Sequence, residues 1–223
     1  MTKKKTEQRK HKGIHLLAGA ALFAFIVSFA VVFSLFFKPL YHADVKAQGI
    51  PAAAGMSEEE VYENYDALIA YNFAFGPGEL EFPTLPMSES GRVHFAEVKN
   101  IFVFFQILLA ASAAALAALA ATVRRKLRPA FLVGGGAAAA LLPAVLGILA
   151  VTSWDSFFTR FHETFFGNDL WMFDYRTDPV ILILPDSFFF HCAVLIMAVM
   201  LLLGLISAAA GLLGIRRSRG KAK

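Results

Sequence analysis

Residues 188–215 read FFFHCAVLIMAVMLLLGLISAAAGLLGI, a run without a single Asp, Glu, Lys or Arg. A helix needs about 20 apolar residues to cross the ~30 Å hydrocarbon core of a bilayer. This run therefore predicts a transmembrane helix. The whole chain has 223 residues, of which 57% are hydrophobic, and this composition is typical of an integral membrane protein.

Three more apolar runs have the same character. The predicted spans are residues 14–37, 101–123, 130–151 and 188–215. They are separated by two tails (1–13 and 216–223), a short turn (124–129) and two long loops (38–100 and 152–187). No span carries an acid or a base in its middle, and a transporter or channel usually has such charges in its pathway. The sequence predicts an all-α membrane protein with four transmembrane helices and no transport function.

The charges are distributed unevenly between the connecting segments. The two tails and the short turn hold 15 of the 21 Lys and Arg residues, whereas the two loops hold 16 of the 17 Asp and Glu residues. By the positive-inside rule both termini are cytoplasmic and both loops are extracytoplasmic. The basic pI of 9.2 follows from this topology and does not indicate a nucleic-acid partner. The first span is too long for the apolar part of a signal peptide, so we expect it to be retained.

The two loops contain predicted helices of their own. Ser57 and Glu60 form a capping-box pattern that begins a helix in the first loop. In the second loop, residues 154–166 place most of their aromatic side chains on one face, which is typical of an amphipathic helix lying in the membrane interface. We therefore expect the bundle to carry an extracytoplasmic cap with interfacial helices.

Two histidines are the candidates for catalysis. His162 lies at the edge of the aromatic face, and His94 lies just before the second span with Glu97 three residues later. An imidazole at this depth can move protons near neutral pH at the level of lipid esters. Each histidine also has an alternative interpretation. His162 can be a packed core residue, and His94 can be an interfacial side chain that extends toward water. Neither the histidines nor the single cysteine have the spacing of a metal site, and there is no cofactor-binding fingerprint.

The second loop supplies further candidates. Asn168 or an arginine can stabilise an oxyanion, and Arg176 is expected to pair with one of the five aspartates of this loop. Trp171 is of a type that anchors at headgroup level, and Asp155 and Asp169 are candidates for supporting roles.

Three segments together resemble a known family. They are WDSFFTRFHETFFGNDLWMFD at 154–174, DPVILILPDSFF at 178–189 and SESGRVHFAEVK at 88–99. They are similar to the lipoprotein intramolecular transacylase (Lit) family of bacterial four-span membrane proteins. The chain departs from the family pattern at Ala96-Glu97, where an acidic pair is common, and at Pro185-Asp186, where Pro-Glu is common. Each departure keeps one carboxylate.

The resemblance implies an acyltransferase of the bacterial cell membrane. Its substrates would be diacylated lipoproteins, handled among membrane lipids without a cofactor. The acyl chain at sn-2 would move to the α-amine of the N-terminal cysteine, giving the lyso-form. The family's key histidines fall at His162 and His94. Apart from the resemblance, Glu97 lies three residues after His94 on the same helix face, where it can hold one imidazole nitrogen and set the tautomer of His94. Two alternatives stay open: a non-catalytic membrane scaffold, and a lipid-ester enzyme acting on free phospholipid. The sequence does not specify an oligomeric state.

Overall fold

A computed structural model describes residues 2–123 and 127–220. Its helices are α1 (Thr2–Phe36), α2 (Lys38–Gln48), α3 (Ile50–Ala54), α4 (Glu58–Tyr71), α5 (Glu89–Val123), α6 (Ala130–Thr152), α7 (Trp154–Phe165), α8 (Val180–Ile183) and α9 (Asp186–Gly220). These described residues form no strand. The prediction of an all-α fold is confirmed.

Four of the helices are long and apolar enough to cross a membrane. The candidate spans are Lys12–Phe36, Glu89–Val123, Ala130–Ile148 and Asp186–Gly220. The chain is a multi-pass membrane protein, as predicted. Helices α5 and α9 begin before the predicted apolar spans, each with an acid in its first turn, where the helix dipole favours negative charge. The predicted turn 124–129 lies partly outside the described residues, which stop at Val123 and resume at Leu127.

The chain divides into two compact units. The first comprises residues 1–30, 107–147 and 196–223. Within it α6 and α9 approach closely: a Cβ on Gly136 would lie 2.6 Å from the carbonyl oxygen of Gly204. Only glycine permits this approach, and in lipid such contacts replace the hydrophobic effect. The alanine-rich tract of α5 differs, since Ser112 is its one buried residue between 110 and 121.

The second unit comprises Val31–Gln106 and Ile148–Leu195 and contains both long loops. Tyr41 of α2 is fully buried at its centre, stacked on Tyr65 of α4 with ring centroids 3.6 Å apart. The Tyr41 hydroxyl donates a 2.8 Å hydrogen bond to the carbonyl of Ile183. Burial raises the pKa of both tyrosines above 10.0, so both remain protonated hydrogen-bond donors.

The predicted capping box of α4 is confirmed. The Ser57 hydroxyl accepts from the Glu60 amide, and the Glu60 carboxylate accepts from the Ser57 amide.

Helices α2 and α9 are joined by two polar contacts. Asp44 accepts from His191 Nδ1 at 2.8 and 2.9 Å, and the Ser187 hydroxyl donates to the Gln48 side chain. The two partners on each helix are four residues apart, so both contacts lie on one face of each helix.

The start of α5 is fixed by a carboxylate from the second loop. Asp178 is only 2% exposed, and it accepts from the Ser88 amide at 2.8 Å and from the Thr177 hydroxyl at 2.7 Å. The Ser88 hydroxyl in turn accepts from the Gly91 amide, so Ser88 caps α5. Gly91 lies so close that a Cβ there would overlap Oδ1 of Asp178.

We expect Gly91→Ala to destabilise the protein by about 1–3 kcal/mol, because the added methyl group displaces the Asp178 carboxylate from the start of α5. Thermal unfolding in detergent measures the change. Gly78→Ala is the matched control, since a Cβ there meets no atom within 4 Å. Equal stability of the two variants would show that the close approach at Gly91 is unimportant.

Candidate active site

His162 is the one buried residue of α7. Its ring lies 4.1 Å from that of Phe158 and 4.6 Å from that of Trp171, centroid to centroid. Its Nδ1 is 2.8 Å from the Phe158 carbonyl oxygen. Since a carbonyl only accepts, Nδ1 carries the proton, and in the neutral ring Nε2 is left as the basic nitrogen. Trp171, predicted to lie at headgroup level, packs against this imidazole.

Burial is the main electrostatic influence on His162. It lowers the pKa of this histidine below 6.5, although the Phe158 carbonyl and the charge of Asp186 act in the opposite direction. The imidazole is therefore neutral at physiological pH and can accept a proton at Nε2.

His94 lies in the second turn of α5, one turn after Gly91, and is 5% exposed. Its ring centroid is 4.7 Å from that of Phe166 and 5.5 Å from that of Phe173. The His94 and His162 rings are 6.0 Å apart, so helices from the two loops bring together the two histidines singled out in the sequence.

A hydrogen-bonded chain runs beside the pair. Asn168 Nδ2 donates to Glu97 Oε1 at 2.8 Å, and Asn168 Oδ1 accepts from the Leu170 amide at 3.0 Å. The Asn168 carbonyl accepts from the indole N–H of Trp171 at 3.1 Å. Glu97, Asn168 and Trp171 thus form one network, and it connects α5 to the segment that follows α7.

Glu97 also faces His94. Its Oε2 lies 4.0 Å from His94 Nδ1, which is too long for a hydrogen bond. Both atoms are buried, and neither has a hydrogen-bond partner among the described residues. The hydrogen bond expected to set the His94 tautomer is not made in this structure.

Three of the predicted supporting residues lie elsewhere. Asp155 and Asp169 are exposed, and no hydrogen bond, ion pair or ring contact of the described residues joins them to either histidine. Arg176 forms the expected pair with an aspartate: its guanidinium contacts Asp174 at 2.6 Å and lowers the pKa of that carboxyl to about 2. This pair is exposed and does not reach the histidines.

Several residues that contact or position the histidine pair were not indicated by sequence patterns. Phe166 and Phe173 contact His94, although neither belongs to the aromatic face predicted for residues 154–166, and both follow the end of α7 at Phe165. Asp178 is one of five aspartates in the loop, and its burial and its contact with the Ser88 amide distinguish it in the structure. Among residues 2–123 and 127–220, no three His, Cys, Asp or Glu side chains are grouped to hold a metal ion.

The chain has clear relatives. The sequence pattern of lipoprotein intramolecular transacylase Lit matches residues 16–189, well over half of the chain. The chain belongs to the lipoprotein intramolecular transacylase (Lit) family. Family membership confirms the prediction that the protein is an acyltransferase. It also supports the predicted activity at the level of a lipoprotein intramolecular transacylase. No protein with a curated functional description matches the sequence.

Solved structures agree with this assignment. The membrane-integral Lit of Bacillus cereus is 31% identical, with a TM-score of 0.90 over 95% of this chain and 99% of that one. Two variants of the B. cereus protein, in which one histidine is replaced by arginine or alanine, are 29% identical with TM-scores of 0.86 and 0.85. The arginine variant aligns over 99% of this chain and 98% of its own, and the alanine variant over 97% and 99%.

Asn168→Ala should destabilise the protein by about 1–3 kcal/mol, because it leaves Glu97 Oε1 and the Leu170 amide without their partners. Thermal unfolding of the purified protein measures the loss. Asn100→Ala, at an exposed position of α5, is the control and should unfold at the wild-type temperature. A wild-type melting temperature for Asn168→Ala would show that the Asn168 hydrogen bonds do not stabilise the protein.

Histidine ring signals in NMR spectra should show His162 titrating with a midpoint below 6.5, because burial disfavours its charged form. The folded state binds fewer protons at this site than the unfolded state. The contribution of His162 to stability is therefore present above pH 6.5 and is lost as pH falls through the folded pKa. The spectrum of His162→Gln assigns the signal, and a midpoint above 6.5 would contradict the electrostatic argument.

Proposed function

We propose that this protein transfers the sn-2 acyl chain of a diacylglyceryl lipoprotein to the α-amine of its own N-terminal cysteine. The observation that carries the proposal is the pair of buried imidazoles, His94 and His162, 6.0 Å apart among aromatic rings. The B. cereus variants in which a histidine is replaced also draw attention to this residue type in the family.

The chemistry needs proton transfer and little else. The amine nitrogen attacks the ester carbonyl carbon, a C–N bond forms and the C–O bond to glycerol breaks. One proton leaves the nitrogen and one ends on the glycerol oxygen, so no oxidant, nucleotide or cofactor is consumed. Amine and ester belong to one molecule, and holding them together recovers much of the ~7–11 kcal/mol available from proximity.

The two histidines supply the proton transfer in this proposal. The amine has a reference pKa of about 8 and must be deprotonated before it attacks. His162, with its proton held on Nδ1 by the Phe158 carbonyl, offers Nε2 as an acceptor. One histidine acts as the base and the other as the acid or orienting partner. The surrounding aromatic rings exclude water, which favours amide formation over hydrolysis of the ester.

We place the reaction on the extracytoplasmic side of the bacterial membrane, with both termini in the cytoplasm. The support is the charge distribution, since the loops that carry the histidines hold nearly all the acidic residues and the tails are basic. An aromatic face on α7 also suits an ester lying at the membrane interface, because Phe161 and Phe165 of that face are exposed.

The test is expression in a bacterial host that lacks N-acylated lipoproteins, followed by mass spectrometry of one lipoprotein's N-terminal peptide. Wild-type protein should produce the lyso-form. His94→Gln and His162→Gln should each lower its yield by about 100-fold or more, because general acid–base catalysis typically contributes this much.

His42→Gln is the matched control, because that histidine contacts the ring of Tyr62 and lies outside the proposed pair. All variants must reach the membrane in equal amounts. Full conversion by both histidine variants would refute the role of the histidine pair, and an absence of lyso-form with wild-type protein would favour a scaffold. Release of fatty acid or lysophospholipid from labelled phospholipid vesicles, without lyso-lipoprotein, would instead indicate an enzyme acting on free lipid.

A further inference from the structure

One carboxylate oxygen beside the histidine pair lacks a hydrogen-bond partner. Glu97 Oε2 and His94 Nδ1 are both inaccessible to solvent, and neither forms a hydrogen bond with a described residue. A buried polar atom without a partner costs free energy, so such an atom in a native site calls for a functional explanation.

The orientation of the Glu97 carboxylate is fixed by a hydrogen bond to its other oxygen, Oε1. Asn168 Nδ2 holds Glu97 Oε1 at 2.8 Å, and the Leu170 amide holds the Asn168 side chain. With one oxygen engaged, Oε2 is turned toward His94 and is not free to seek another donor within the protein.

The distance between the two atoms suits a single donor. They lie 4.0 Å apart. Both atoms are covered in this structure, although the Glu97 side chain as a whole is 34% exposed, so a ligand nitrogen reaches them only when the covering atoms move aside. Placed about 2.8 Å from each, it would contact both, and the two contacts would meet at nearly a right angle at the nitrogen. A primary ammonium carries three N–H donors and can make two such contacts while its third points elsewhere.

The charges favour a cation. Among the described residues no lysine or arginine pairs with Glu97, and the nearby Lys99 lies over the ring of Tyr71 and donates to the carbonyl of Pro77. The carboxylate repels a phosphate or another acid. A ligand with a positively charged nitrogen donor complements it in both charge and hydrogen bonding.

We propose that Glu97 Oε2 receives the α-ammonium group of the lipoprotein's N-terminal cysteine. This inference rests on the proposed function and adds a recognition site for the substrate's nitrogen. Held there, the reacting nitrogen lies beside the imidazole of His94 before it loses its proton. An N-terminus that is already acylated carries a neutral amide in place of the ammonium group and loses the charge attraction, so the site favours substrate over product.

The experiment measures binding without turnover. Two S-diacylglyceryl peptides carry an ether in place of the sn-2 ester, so no acyl transfer is possible. One has the free α-amine and the other has hydrogen in its place. Wild-type protein in detergent at pH 6.5 should bind the amine at least about tenfold more tightly, as expected for a charge-assisted hydrogen bond. The preference should shrink at pH 9.5, where the amine is neutral.

Glu97→Gln keeps the acceptor for Asn168 and removes only the charge, so it should bind both peptides equally. Glu97→Asp retains the charge and should keep part of the preference. Glu163→Gln, on the exposed face of α7, is the matched control and should behave as wild type. Melting temperatures show whether each variant is folded.

Equal binding of both peptides by wild-type protein would overturn the inference, and so would an undiminished preference in Glu97→Gln. The latter, with slowed turnover, is the result expected if Glu97 only sets the His94 tautomer. Failure of the proposed function is a separate outcome, seen as an absence of lyso-lipoprotein from the ester substrate whatever the ether peptides do.

Discussion

The buried carboxylate of Asp178 is the contact on which the site depends. It accepts from the backbone at the start of α5 and fits the space that Gly91 leaves open, so the second loop determines where that helix begins. His94 and Glu97 follow within two turns. A displacement here would move both side chains relative to His162. The position of the candidate groups is thus set by a polar contact outside them, at a residue to which the proposed function assigns no proton transfer.

The surroundings of the two histidines suit the proton transfer of the proposed function, because they hold the imidazoles away from water. Aromatic rings from α7 and the segment after it enclose both imidazoles, and the resulting burial keeps His162 neutral. The same burial makes any charge that appears during reaction sensitive to the few polar groups present. Glu97, Asn168 and Trp171 are those groups, and their hydrogen bonds link the first loop to the second.

Local patterns in the sequence were sufficient for the four spans, α4 and α7, and for singling out the two histidines, whereas α2, α3 and α8 were not predicted. Apolar run length indicated the spans, the Ser57 capping box indicated α4, and aromatic spacing indicated α7. Contacts between distant segments were not accessible in this way. Asp155, Asp169 and Arg176 resembled Asn168 as polar loop residues, and only the folded arrangement separates them. Trp171 fits the pattern of an interfacial anchor, yet its partner is an imidazole whose position depends on how the loop returns over α7.

The two contacts between α2 and α9 have a geometric consequence. Asp44 with His191 and Gln48 with Ser187 lie one helical turn apart on both helices. Sliding either helix by one residue rotates its partners by about 100° and breaks both contacts together. Apolar neighbours such as Phe188 would tolerate a slip far better, since dispersion has no direction. These two contacts therefore specify the register of α2 against α9. Apolar packing alone would permit several alignments of the two helices.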